Sequence, residues 1–188
     1  FRVGAAVSGA RLKEHETLSL LWPGVVEAAD LIGSTQIQGR ASMGGNLCNA
    51  SPAADTVPAL MAAEATCALA GPGGRREVPV EDICTGPGQT ILTDGEFIVS
   101  ILLPARGSRS GDAYLRFIPR TEMDIAVVGV GVSLSLGPDG QCSAARVAVG
   151  AVAPTALLVP AAAEALIGGT VDDAAIDAMA AAVRAVCR

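Results

Sequence analysis

Histidine is almost missing from this chain: His15 is the only one. The five cysteines, Cys48, Cys67, Cys84, Cys142 and Cys187, never come closer than 17 positions. That spacing excludes a C-x-x-C zinc or redox motif, and the odd number argues against a secreted disulfide framework. With one His and no clustered Cys, no metal site is expected. Each Cys reads as a small buried hydrophobe, and a reducing cytoplasm is the natural home. Lysine is as scarce as histidine. Lys13 stands beside twelve scattered Arg, and the net charge is −6. Nucleic acid would be bound against the overall field, so it is not expected as a partner. No apolar run reaches the 18 or so residues a membrane helix needs.

What is present is apolar mass: 51% of the 188 residues are hydrophobic and 17% charged. Disorder is excluded by that balance. The length suits one large domain or two small ones. It is enough to bury a core without disulfide or metal staples. The chain opens on Phe1 with no basic or cleavable leader, so it reads as a fragment or a processed chain.

Residues 1–8 read as a strand and residues 12–21 as a helix. Pro23 starts a second helix. Residues 33–55, rich in Gly, Ser, Thr and Asn, read as a long irregular stretch, and such loops are usually functional. Asp55 can cap a helix running to about Ala65. Strands follow at 66–71 and 76–80, joined by Gly71-Pro72-Gly73-Gly74, and at 96–103. The small, charged run 105–112 is the candidate domain boundary. Beyond it, residues 113–118, 124–136 and 142–152 read as strands. Helices follow from Pro160 and from Val171 to the terminus, the last opened by a Thr170–Asp173 capping box. Strands before helices argue for an α+β fold. Residues 1–108 are expected to form a mixed α/β subdomain with a mainly antiparallel sheet. Residues 109–188 are expected to form a three-stranded antiparallel sheet with packed helices.

The informative stretch is Ser42-Met43-Gly44-Gly45-Asn46. Adjacent glycines let a ligand approach the backbone, and their N–H groups can converge on an anion. Ser42 adds a hydroxyl and Asn46 two amide donors, tools for a phosphate or pyrophosphate. Asp55 could accept from sugar hydroxyls. The residues alone also allow a plain tight turn at Gly44-Gly45 and a plain cap at Asp55.

The run SMGGNLCNASPAADTVPAL resembles the second flavin-binding loop of the FAD-binding (medium) subunits of molybdenum hydroxylases, the carbon monoxide dehydrogenase and xanthine dehydrogenase family. FRVGAAVS, GEFIVSILLP, AYLRFIPRTEMDIAVVGVGVSL and ARVAVGAVAPT are similar to the same family in the same order. The resemblance implies FAD as cofactor, with Ser42, Met43, Gly44, Gly45 and Asn46 around its pyrophosphate. It implies that Asp55 hydrogen-bonds the cofactor, that Ile32 and Ile98 lie near the flavin, and that Arg116 supplies a basic group there. Read from the pattern alone, Ile32 and Ile98 would be core and Arg116 a solvated face. Tyr114 is the only Tyr, and the resemblance leaves it a candidate neighbour of the flavin. His15, among charged neighbours, should be exposed.

The resemblance further implies an oxidoreductase subunit that passes electrons from the iron–sulfur clusters of a 2Fe–2S small subunit to an external acceptor. A molybdopterin-binding large subunit would hydroxylate the substrate. This chain offers no ligand for molybdenum, pterin or a cluster, nor a catalytic base or nucleophile. It also begins where the family's middle subdomain begins, without the A-G-G-T-like loop that makes the other half of the pyrophosphate site. Losing charge-assisted bonds at ~1.5–3 kcal/mol each removes powers of ten in affinity. Two other readings therefore stand beside the first. One is a scaffold fragment that docks partner subunits without cofactor; the other is an FAD-dependent oxidase of a different family.

Overall fold

The computed structural model describes residues 1–120 and 123–187. In chain order it opens with β1 (Arg2–Gly4), α1 (Gly9–Lys13), α2 (Glu16–Leu21), α3 (Pro23–Asp30), α4 (Thr35–Gln38), α5 (Met43–Asn49) and α6 (Thr56–Ala62). The strands β2 (Thr66–Gly71), β3 (Gly74–Pro79), β4 (Cys84–Gly86), β5 (Gln89–Thr90) and β6 (Phe97–Leu102) follow. After residues 103–109 come β7 (Ser110–Phe117), β8 (Val128–Leu136), β9 (Cys142–Gly150), β10 (Leu157–Leu158), α7 (Pro160–Glu164) and α8 (Asp173–Val186).

The first sheet has the order β1-β6-β2-β3, with every neighbouring pair antiparallel. Its register against β2 slips beside Val99: Ala68 pairs with Ser100, but Leu69 pairs with Ile98. Such a bulge lets residues an odd number apart share one face. Ile98 and Ile101 are accordingly both buried. They join Leu47, Leu60, Leu69 and Val25 in one core beneath the sheet. The expected helix at 12–21 is broken at Glu14-His15. There His15 caps α2, its Nδ1 accepting from the Leu18 N–H, and it is exposed as expected.

The second sheet has the order β10-β9-β8-β7, again antiparallel. The three expected strands are there, and the two-residue β10 extends them at one edge. In β8, glycine and serine alternate with apolar residues, and the alternation sorts the two faces. Val128, Val130, Val132 and Leu134 share one apolar cluster with Ala162 of α7, Leu166 just after it, and Met179 and Val183 of α8. On the opposite face, a Cβ on Gly131 would lie 2.5 Å from the Pro58 carbonyl oxygen. The bare backbone there is what lets α6 lie against the sheet. α8 starts two residues after the expected cap: Asp172, not Thr170, accepts from the Ala175 N–H. It ends at Val186 with Cys187 in extended backbone, short of the expected run to the terminus, and Arg188 lies outside the described residues.

The segment 103–112 ties the two sheets together. The Arg106 guanidinium stacks on Trp22, 4.2 Å from the ring centroid, and pairs with Asp112. Asp112 also accepts from the Val25 N–H at the start of α3. Among the described residues, no helix is long and apolar enough to cross a membrane.

Candidate functional site

The stretch 33–55 is not irregular throughout. It carries α4 and α5, so the glycine pair sits inside the first turn of a helix rather than in an open loop. Ser42 is the cap of α5, its Oγ accepting from the Gly45 N–H at 3.1 Å. This helix tolerates Gly44 because the position allows nothing larger. A Cβ there would lie 2.6 Å from the Ala5 carbonyl oxygen, and the Gly44 N–H donates to that same oxygen. The expectation that the Gly44 N–H points at an anion is therefore corrected. Met43 is buried in the core, so its side chain is no part of a surface site. Gly45 is exposed and lacks a Cβ, leaving that side of the turn open to a ligand.

Asn46 is fixed from behind. Its Oδ1 accepts from both the N–H and the hydroxyl of Thr56, at 3.1 and 2.7 Å. Among the described residues, no acceptor takes its two amide N–H donors. Ser42 and Asn46 are thus the members of the pentapeptide whose side chains offer polar groups at this turn, and Gly45, its N–H engaged by Ser42, contributes the open approach.

Asp55 precedes α6, but its side chain does not cap that helix. It reaches across to the second sheet instead. Oδ1 accepts from the Tyr114 hydroxyl at 2.9 Å, and Oδ2 from Arg116 Nη1 at 3.0 Å. Tyr114 and Arg116 alternate on β7 and both turn inward, which overturns the solvated-face reading of Arg116: its side chain is only 8% exposed. Room for the phenol comes from Gly129 on the neighbouring strand, where a Cβ would lie 2.2 Å from the Tyr114 oxygen. Burial raises the Asp55 carboxyl above its ordinary range, and Tyr114 and Arg116 pull it back only in part. Burial, and then the Asp55 carboxylate, push the Tyr114 phenol far up, so the hydroxyl stays a donor.

These groups border a cleft of about 300 Å³. Ile32, Ile37, Asp55 and Arg116 line it, with Ser51 and Ile125. The structure therefore brings Ile32, Asp55 and Arg116 together. Arg116 also lines an adjoining polar cleft of about 260 Å³, with Ser34, Thr35 and Gln38. Ile98 is not among the residues lining the 300 Å³ cleft; it lies in the core beneath β6, paired with Leu69. Ile37 and Ile125 did not stand out in the sequence, because nothing there marks an apolar residue as both exposed and beside a cleft. Tyr114 was marked as the lone Tyr and a candidate neighbour of the flavin, but not as a partner of Asp55. Cys67 and Cys142 are buried as expected, but Cys48 and Cys187 are exposed. Among the described residues no group of His, Cys, Asp and Glu could hold a metal.

Residues 1–106 match the family described as the FAD binding domain in molybdopterin dehydrogenase. Residues 113–188 match the CO dehydrogenase flavoprotein C-terminal domain. The chain belongs to this family of molybdopterin dehydrogenase flavoprotein subunits. The carbon monoxide dehydrogenase medium chain of Hydrogenophaga pseudoflava is 34% identical over 186 residues, covering 96% of this chain and 64% of its own length. The xanthine dehydrogenase FAD-binding subunit of Escherichia coli O157:H7 is 32% identical over 155 residues, covering 82% of this chain and 53% of its own.

Among solved structures, the Hydrogenophaga pseudoflava carbon monoxide dehydrogenase that lacks the Mo-pyranopterin moiety superposes with a TM-score of 0.93 at 34% identity. The match covers 100% of this chain and 64% of that one. Quinoline 2-oxidoreductase from Pseudomonas putida 86 gives 0.85 at 28% identity, over 100% of this chain and 64% of that one. This chain thus spans between about half and two thirds of these molybdopterin dehydrogenase subunits. The α+β fold and FAD as the family's cofactor agree with the expectations from sequence.

The donor set suits that cofactor. Gly45 without a Cβ, the Ser42 hydroxyl and the free Asn46 amide donors suit a diphosphate. Ile32 and Ile37, beside the Asp55–Arg116 pair, suit a ring system that carries polar edges.

Proposed function

We propose that this chain is the flavin-holding part of a molybdenum hydroxylase, and that it positions FAD for electron transfer. The observation that carries this reading is one cleft lined by Ile32 from the α3–α4 connection, Asp55 from the start of α6 and Arg116 from β7. Ser42, Gly45 and Asn46 take the pyrophosphate, with Met43 and Gly44 shaping that turn from behind. Asp55 accepts from the cofactor while Tyr114 and Arg116 hold its carboxylate in place. Ile32 and Ile37 wall the ring system, and Arg116 presents positive charge beside it. Ile98 acts through the core that supports α5, not by contact. FAD, when bound, supplies acceptance and release of one or two electrons.

Residues 1–108 form the flavin-binding unit and residues 109–188 the second unit; the breaks between the two matched regions and between β6 and β7 support this division. A molybdopterin-binding large subunit and a 2Fe–2S small subunit are the partners. The chain works in the cytoplasm, and the scarcity of paired cysteines supports that setting.

The test is a titration of the purified chain with FAD, with FMN as control, followed by flavin fluorescence. Saturable FAD binding that Gly45→Val weakens by more than roughly tenfold is expected, since charge-assisted bonds are worth ~1.5–3 kcal/mol each. No saturable binding, or equal binding by the variant, would overturn the reading. The first of these results would favour a scaffold that docks partners without cofactor.

A further inference from the structure

An asparagine amide can turn either its oxygen or its two N–H donors toward a ligand, since the two ends are nearly the same size. Toward a diphosphate that choice sets the sign of the interaction. N–H donors attract the phosphate oxygens, and a carbonyl oxygen repels them. At Asn46 the choice is made by Thr56, ten positions along the chain.

Thr56 is the first residue of α6 and is fully buried. Its N–H belongs to the opening turn, where a helix has no carbonyl to offer, and the Asp55 side chain does not cap it. Asn46 Oδ1 takes that N–H at 3.1 Å. The Thr56 hydroxyl donates to the same oxygen at 2.7 Å. Two donors converging on one atom admit only an acceptor there, because an amide nitrogen would set N–H against N–H. The Asn46 backbone N–H is already spent on the Ser42 carbonyl at 2.9 Å. The donors left to Asn46 are therefore those of Nδ2. Among the described residues, the buried side-chain atoms without a partner belong to Arg106 and Arg116, so Nδ2 is open to the outside.

We propose that Thr56 is a positioning residue: by holding Oδ1 it turns both Nδ2 donors of Asn46 toward the diphosphate of the cofactor. The inference rests on the flavin reading above. The hydroxyl carries the effect, not the bulk of the side chain. Valine keeps the branched shape and the backbone N–H, but leaves Oδ1 with one of its two donors. Thr56 is buried, so water does not replace the lost bond. Serine keeps the hydroxyl and the bond.

The test is FAD titration by flavin fluorescence for the wild type, Thr56→Val, Thr56→Ser, Asn46→Ala and the double variant Thr56→Val/Asn46→Ala. NMR of the isotope-labelled chain without FAD reads the Asn46 Nδ2 resonances, identified by their loss in Asn46→Ala. Thr56→Ser should bind FAD within roughly twofold of the wild type, and Thr56→Val roughly three- to tenfold more weakly, the worth of one net hydrogen bond. In the Asn46→Ala background, Thr56→Val should weaken FAD no further. The Nδ2 resonances should move in Thr56→Val and stay in place in Thr56→Ser. Wild-type affinity in Thr56→Val, a loss that persists in full without Asn46, or unmoved Nδ2 resonances would each overturn the proposal. Asn46→Asp gives a second reading that leaves Thr56 untouched. Its carboxylate keeps an oxygen for both Thr56 donors but presents another oxygen in place of Nδ2. It should keep the wild-type thermal midpoint and weaken FAD more than roughly tenfold; wild-type affinity there would also count against the proposal. If the wild type itself binds no FAD, the flavin reading falls, and the Nδ2 resonances still decide whether Thr56 orients Asn46.

Discussion

The Tyr114 hydroxyl donates to Asp55 Oδ1 at 2.9 Å across 59 positions of sequence, and the bond is buried. It joins an inner strand face of the second sheet to the residue that opens α6. Tyr114→Phe keeps the ring in the space that Gly129 leaves, but removes one of the partners of a buried carboxylate. The expected loss is about 1–3 kcal/mol, the usual cost of leaving a buried polar group short of a bond. Urea unfolding of the two proteins measures it. An unchanged midpoint would mean the bond does not hold Asp55.

The Arg116–Asp55 pair should behave asymmetrically. Arg116→Met leaves the buried carboxylate without its counter-charge and should cost about 3–5 kcal/mol. Adding Asp55→Asn removes the stranded charge, so the double variant should be more stable than Arg116→Met alone. A double-mutant cycle by urea unfolding decides this. Strict additivity would show that the two side chains act independently.

The adjacent glycines of α5 should respond differently to the same change. At Gly44 a side chain meets the Ala5 carbonyl oxygen at 2.6 Å, so Gly44→Val should lower stability by about 1–3 kcal/mol through overpacking. At Gly45 the nearest atom is Ser42 Oγ at 3.2 Å, the end of a small side chain on an exposed turn. Gly45→Val should therefore keep most of the stability and lose FAD. Thermal denaturation of both variants separates folding from binding. Equal destabilisation would mean the turn is packed alike on both sides.

On β6's leading edge, Glu96 receives bonds from Arg76 and from the Thr93 N–H. The Arg76 bond, first, holds its carboxyl well below the ordinary value of 4.5, at about 2. A depressed carboxylate favours the folded state above its unfolded value, and that contribution is lost as pH falls from 4.5 through about 2. Carboxyl NMR titration should place the Glu96 midpoint near 2. In Arg76→Ala the midpoint should move up toward the ordinary range. A wild-type midpoint at the ordinary value would show that the ion pair is not formed in solution.

Much of the fold was legible where patterns are local. Pro23, the Gly71–Gly74 turn, the alternation in β8 and the strand-then-helix order all act within a few residues. What escaped was decided by distant partners. Gly44 read as part of an irregular stretch or a tight turn, yet it lies in α5, packed where a Cβ would meet the Ala5 carbonyl oxygen. Asp55 looked like a cap, yet Tyr114 and Arg116 from another sheet claim its carboxylate. The resemblance set Ile98 near the flavin while its pattern alone read as core, and the bulge at Val99 turns it with Ile101 into the core. Of the site, the residue types in Ser42–Asn46 were legible; which of their donors remain available depended on Thr56 and Ala5, and no spacing rule reveals that.

The central claim is that FAD lies along the Ser42–Asn46 turn and in the cleft of Ile32, Asp55 and Arg116. Amide chemical-shift mapping of the isotope-labelled chain, with and without FAD, tests it most directly. The account predicts saturable shifts at Gly45, Asn46, Ile32 and Asp55, and at Arg116 on β7, with Ile101 deep in the core unmoved. Shifts confined to other surfaces, or none at saturating FAD, would contradict it.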